Sequence, residues 1–318
     1  MSQTTDLGFQ PETQAPSARD ERIGTLFVCL SALCWSFGGT IARFIDNSDS
    51  WTIVFWRSFW AAAFLVAFMI WRDGWRGMVA LFTGMGFPGA LVGLFFAIAS
   101  TSFVVALGYT TVANILLMQA GVPLFAALLA WLLFRERVAR ATWVAIAAVI
   151  AGVAIMVSES FGGDVSPVGD GLALLIAVSF ASSTVITRRF AHVRMTPAVC
   201  LGAILAGGFA ALQAGSLAVS IRDMGLLFAF GTLNLGLGLA CFAFGARLIP
   251  AALAALFGTL EPVLGPVWVW LVHGEVPSAR TIAGGTVVFL ALLTHLSLEF
   301  RRQQRPARPG ATGIPSPN

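Results

Sequence analysis

Ten stretches of roughly 17 to 24 mostly apolar residues, divided by short polar segments, constrain this chain more than any other feature. They run approximately 24–43, 51–71, 88–108, 111–133, 141–158, 168–187, 196–218, 225–246, 249–272 and 280–298. A helix rising ~1.5 Å per residue needs about 20 residues to cross ~30 Å of hydrocarbon. Composition agrees, with 58% hydrophobic and 11% charged residues. A soluble domain carries about 25% charged residues, so this chain lacks the polar surface to clothe a water-soluble globule. The expected fold class is an all-α polytopic membrane protein with ten transmembrane helices. The alternating segments of about 10 residues that build a transmembrane barrel are absent. Residues 77–87 are also apolar, but Gly84, Gly86, Pro88 and Gly89 interrupt them, which predicts a connecting segment.

The basic residues are all arginine, and their distribution orients the bundle. With the N-terminus in the cytoplasm, fifteen arginines fall on the cytoplasmic side against three, Arg43, Arg222 and Arg280, on the outer side. Arg57 lies within the second run. The expectation is an inner, plasma-type membrane with both termini cytoplasmic. Trp51 and Trp56 at one end of that run, and Trp71 and Trp75 at the other, suit two interfacial belts. The arginines form no basic face interleaved with aromatics, which excludes nucleic acid as a partner. Residues 1–22 and 299–318 are polar and read as disordered cytoplasmic tails. Cys29, Cys34, Cys200 and Cys241 fall inside predicted spans without metal-ligand spacing.

An internal repeat is visible. A shift of 139 residues lays Pro123 on Pro262, Trp131 on Trp270, Leu132 on Leu271, Glu136 on Glu275 and Thr142 on Thr281. A weaker match at 145 residues lays Gly24 on Gly169, Trp35 on Phe180 and Arg43 on Arg188. The halves are then 23–158 and 168–298, with five predicted spans each. An odd number of spans turns the second half upside down relative to the first. Inverted repeats of this kind place a solute site at the midplane between halves.

These residues carry a family resemblance. The second run holds Phe-Trp-Arg57-Ser, and the fourth reads from Pro123 through Trp131 to Glu136. The ninth holds Leu-Glu261-Pro262-Val and then Trp270-Leu-Val-His-Gly-Glu275-Val-Pro, and the tenth holds Ala283-Gly284-Gly285. Over about residues 23–298 the chain resembles the drug/metabolite transporter superfamily, specifically its EamA-type members. The resemblance implies ten helices as two five-helix repeats, with spans 1, 3, 4, 6, 8 and 9 around a central cavity. It implies a secondary transporter of metabolites and leaves the solute open. One departure is Val122, which stands where a first-half partner of Glu261 would fall.

Glu261 is the leading site candidate. A charge at the bilayer centre costs at least ~2.5–3.5 kcal/mol, so such a group faces a bundle interior or a wet cavity. Two readings stand open. Glu261 carries a proton or binds solute, or it caps backbone donors of a broken helix. Pro262 beside it, and Pro123 in the first half, are hinge candidates. Candidate cavity residues are Trp35, Asn114, Met118, Phe180, Ser183, Asn234, Phe257 and Glu261. The stripe Gly231, Asn234, Gly238, Cys241 and Gly245 reads first as close helix packing, with one amide bonding across. Arg57, Glu136 and Glu275 are expected to be structural charges, with gate-forming ion pairs the alternative for the two glutamates. Arg57 is expected to snorkel outward or to pair with a carboxylate.

Aromatics, Met and a few amides suit an amphipathic organic solute. The expected function is export of amino acids or related small metabolites by alternating access, with Glu261 the candidate for proton coupling. A multidrug or cationic-compound exporter is the alternative, and a non-transporting membrane partner or sensor the alternative of another class. No phosphate-binding loop is present, so neither ATP hydrolysis in this chain nor an ATP-binding subunit is implied. No nucleophile–base constellation is legible, and the chain reads as no enzyme, without cofactor or metal, in a lipid bilayer as monomer or homodimer.

Overall fold

Backbone donors and acceptors in hydrocarbon must be satisfied within the segment that carries them, so each apolar run becomes a helix. The computed structural model describes residues 18–46, 49–136, 138–158, 166–190 and 194–303. In the first half the helices are α1 (Ala18–Ser36), α2 (Gly38–Arg43), α3 (Ser50–Gly84), α4 (Gly86–Ala106), α5 (Val112–Gln119), α6 (Val122–Phe134) and α7 (Arg140–Val157). The second half holds α8 (Pro167–Arg189), α9 (Met195–Gln213), α10 (Ile221–Phe228), a π-helical segment (Ala229–Leu237), α11 (Gly238–Gly245), α12 (Ala251–Gly258), α13 (Leu260–His273) and α14 (Ala279–Gln303). Among the described residues nine helical stretches are long and apolar enough to cross a membrane. The pair α5 and α6, bent by 45°, makes a tenth when counted as one span. The protein is an all-helical polytopic membrane protein.

Two boundaries differ from the sequence reading. Residues 75–84 are helical, not a broken connector. The chain departs from helical geometry earlier, at Gly74 (φ 70°), and again at Gly86 (φ 56°). These left-handed angles are ones glycine adopts without a Cβ clash. Trp71 and Trp75, on either side of the Gly74 break, are strongly exposed, as residues in an interfacial belt are. The tails are also shorter than expected, because residues 18–22 and 299–303 belong to α1 and α14. The remainder of the tails, residues 1–17 and 304–318, lies outside the described residues.

The chain repeats its helix pattern. A shift of 139 residues carries the starts of α5, α6 and α7 (112, 122 and 140) onto 251, 261 and 279, where α12, α13 and α14 begin at 251, 260 and 279. It also carries Arg135, the cap of α6 with φ 54°, onto Gly274, the cap of α13 with φ 67°. A left-handed cap ends both helices, although only one of them uses glycine.

The small-residue stripe is a set of helix contacts. Gly231 lies against the Arg57 backbone, Gly238 against the Trp35 ring and Gly245 against Gly24 and Phe27. On the other side of the bundle α7 and α14 cross closely where Gly152 meets Gly284. Small residues allow such backbone approach, and dispersion at short range supplies the association energy in lipid.

Candidate functional site

A cavity of about 380 Å³ lies between the two halves, and repeat-equivalent positions build most of its wall. The 145-residue shift pairs Trp35 with Phe180 and Gly38 with Ser183. The 139-residue shift pairs Phe96 with Leu235, Ser100 with Leu239, Phe103 with Phe242, Leu116 with Ala255, Gln119 with Gly258, Ala120 with Thr259, Val122 with Glu261 and Pro123 with Pro262. All of these residues line the cavity. Trp35 packs on Phe242 (ring centroids 5.5 Å apart) and Phe96 on Phe180 (6.2 Å), so aromatic pairs form two of its walls.

Both broken spans reach the cavity at their breaks. The bend between α5 and α6 falls at Ala120 and Gly121, and a one-residue break separates α12 from α13 at Thr259. Pro123 and Pro262 stand in the first turn after each break. There a proline removes a donor that had no partner in the helix anyway, and its fixed φ favours starting a helix. The prolines therefore restart the helices instead of weakening them in mid-course. The hinge positions are the residues just before them.

Two charged side chains face the cavity. Glu261, in the first turn of α13, is half-buried, and among the described residues no hydrogen bond or ion pair engages its carboxylate. Arg57 on α3 is 7% exposed, and among the described residues it neither snorkels outward nor pairs with a carboxylate. Its Nη1 donates to Ser100 Oγ at 2.9 Å, and its guanidinium lies 4.4 Å from the Phe230 ring centroid and 5.7 Å from that of Phe103. Among the described residues its Nε is buried without a partner, as is Nε2 of Gln119, which also lines the cavity. Neither charge is duplicated by the repeat. Val122 stands opposite Glu261, and α9 carries no ionisable residue but its cysteine.

Among the described residues four ion pairs cross between the halves, and two of them are related by the repeat. Arg43, ending α2, meets Glu275, just beyond α13, at 2.9 Å. Arg188, ending α8, meets Glu136, just beyond α6, at 3.1 Å. The repeat maps Arg43 onto Arg188 and Glu136 onto Glu275, so the two pairs are reciprocal. Their surroundings differ. Arg43 also donates to the carbonyls of Leu107 (2.8 Å) and Thr110 (3.1 Å), while Glu275 accepts from the Val112 amide at 2.7 Å. His273 and Trp268 reinforce that end through Thr40 O and Ser36 Oγ. The Arg188–Glu136 pair is a single exposed contact.

The model of the EamA-like transporter family matches residues 22–158 and again 167–296. The chain belongs to the EamA-like transporter family. Among curated proteins this EamA-like chain is 27% identical over 246 residues to the pseudopaline exporter CntI of Pseudomonas aeruginosa, in strains UCBPP-PA14 and PAO1. The match covers 76% of this chain and 84% of the relative. A solved crystal structure of a protein shares the fold with a TM-score of 0.61 at 19% identity, covering 89% of this chain and 99% of the other.

The EamA-like fold brings some sequence candidates together and separates others. Trp35, Phe180, Ser183, Asn234 and Glu261 line the cavity. The amide of Asn234 is already committed to the carbonyls of Cys34 (2.6 Å) and Trp35 (3.1 Å), so it ties the π-helical segment to α1. Asn114, Met118 and Phe257 are corrections, since none of them lines the cavity. Asn114 is buried against α8, where it bonds Asp170 and Thr110. Met118 is fully buried in the core around α5. Phe257 packs in a satellite cluster with Val28, Ile249 and Ala254. The sequence reading missed Arg57 and Gln119 as cavity residues. A usable signal was present for Arg57, as the lone charge within its span.

Proposed function

We propose that this chain is a secondary transporter of the inner membrane that exports amino acids or related small metabolites by alternating access. The observation that carries this reading is the cavity lined by equivalent positions of both halves. Such a site lies at the interface between inverted repeats, and rocking of one half against the other exposes it to each side in turn. Five spans per half are what an inversion needs, and the arginine counts support a cytoplasmic location for both termini. The exporter among its curated relatives supports the direction.

The reciprocal ion pairs support a gating role for Glu136 and Glu275. Arg43 and Glu275 close the outer end in the observed state. The looser Arg188–Glu136 pair leaves the cytoplasmic end the readier to open. In the opposite state the two ends exchange roles. The breaks at Ala120–Gly121 and Thr259 let the halves bend without breaking a continuous helix. Glu261 is the candidate proton carrier, being a carboxylate in the cavity with no fixed partner.

A cationic-compound exporter is the second reading, favoured by Glu261 beside the aromatic walls. Arg57 in the same cavity weighs against it. Proteoliposomes preloaded with a mixture of amino acids and amines, sampled over time by mass spectrometry, test the proposal. Protein-dependent loss of amino acids is expected. Loss of the amines alone supports the second reading, and no protein-dependent loss overturns both.

A further inference from the structure

The cavity wall follows the repeat, but its charges do not. Arg57 is a cation held in a membrane protein interior without a carboxylate. Aromatic faces and the hydroxyl and carbonyl oxygens of Ser100 compensate it only in part, since they supply no opposite charge. Arg57 and Gln119 both line the cavity, and among the described residues the Nε of one and the Nε2 of the other are buried donors without a partner. A buried donor without an acceptor is costly, and a site that bears two is built for an acceptor that arrives. The acceptor that suits a guanidinium is a carboxylate, which takes parallel hydrogen bonds from its planar fork. Glu261 offers the complement, an acceptor-only group without a fixed partner in the same cavity.

We propose that the cavity recognises a zwitterion, with Arg57 and Gln119 holding the solute carboxylate and Glu261 its ammonium group. This rests on the transport reading and deepens it, because it assigns the solute class and makes Arg57 a specificity-determining residue. A zwitterion also leaves the charge of the cavity unchanged on binding. A solute carrying one charge leaves either Arg57 or Glu261 without a counterpart in low dielectric. The aromatic pairs Trp35–Phe242 and Phe96–Phe180 are placed to take the apolar part of the solute.

The test measures binding separately from flux. Thermal shift of the full-length protein in detergent gives apparent affinities for phenylalanine and leucine. For phenylalanine two matched analogues are added, phenethylamine without the carboxylate and 3-phenylpropionate without the amine. The wild-type protein is expected to bind at least one amino acid, and each analogue at least about tenfold more weakly than phenylalanine. Arg57→Gln is expected to erase the preference for phenylalanine over phenethylamine while leaving phenethylamine binding intact. Arg57→Lys, which keeps the charge, restores part of that preference. Glu261→Gln is expected to act on the comparison with 3-phenylpropionate instead. Wild-type binding of either analogue as tight as that of phenylalanine overturns the assignment, as does no binding of either amino acid at millimolar concentration. Both results come from the unmutated chain, so a variant that fails to fold does not blur them. Binding with the expected selectivity but without flux in proteoliposomes sustains the charge recognition and overturns the transport reading. Flux of other compounds without that selectivity does the reverse.

Discussion

Arg43 and Glu275 meet at 2.9 Å across the two halves of the chain, and the repeat makes this pair the counterpart of Arg188 and Glu136. The two differ in how firmly they are held. The first shares three further hydrogen-bonding groups, the carbonyls of Leu107 and Thr110 and the Val112 amide, and the second is one exposed contact. The energetic consequence follows from burial, since an exposed pair contributes ~0–1 kcal/mol and a charged group with several enclosed partners contributes more.

Glu275→Gln is accordingly expected to destabilise the protein by about 2 kcal/mol, because it leaves Arg43 and the Val112 amide short of an acceptor. Glu136→Gln is expected to cost less than about 1 kcal/mol. Thermal unfolding in detergent reads the contrast as a drop of several degrees for the first and almost none for the second. Equal shifts contradict the asymmetry.

Glu261→Gln keeps the size of the side chain and removes its ability to lose a proton. Solute flux driven by a pH gradient is expected to fall to the level seen without a gradient, while exchange of solute down its own gradient persists in part. Full retention of pH-gradient dependence removes Glu261 as the proton carrier.

The helix breaks are expected to matter for motion and less for binding. Pro262→Ala restores a backbone N–H that can donate to the Gly258 carbonyl and so favours fusion of α12 with α13 across Thr259. A several-fold slower turnover with little change in apparent solute affinity is expected in flux assays. A change in affinity alone contradicts the hinge role.

Gly284 meets Gly152 backbone to backbone, and a Cβ there collides with the carbonyl oxygen of Gly152. Gly284→Ala is expected to cost ~1–3 kcal/mol through forced backbone shifts. Gly208→Ala meets no neighbouring atom and is expected to stay within about 0.5 kcal/mol of wild type. Detergent melting of the two variants separates a close helix crossing from a general intolerance of side chains.

The sequence made the spans and the repeat legible because both are written in hydrophobicity and spacing. Apolar length alone locates a membrane helix, and Pro123 with Pro262 and Glu136 with Glu275 align at one shift. The interior of the bundle was less legible. Whether Arg57 turns toward lipid, a neighbour or the cavity depends on the rotation of α3, which Gly231 sets by letting α3 approach the π-helical segment. Asn114 reads as a cavity residue in the sequence alone because its partner Asp170 lies on α8, far away along the chain. The break at Gly74 was hidden because a glycine at an interface has the same composition whether it is helical or left-handed.

The central claim is that one cavity is exposed to each side of the membrane in turn. It is tested most directly in a chain whose cysteines at 29, 34, 200 and 241 are replaced, with Ser183→Cys as the one reactive site on the cavity wall. A membrane-impermeant maleimide is applied from either side of oriented proteoliposomes. Labelling at position 183 is expected from both sides, and cross-linking cysteines placed at 43 and 275 is expected to abolish labelling from the outer side alone. Labelling from only one side, unchanged by the cross-link, contradicts alternating access through this cavity.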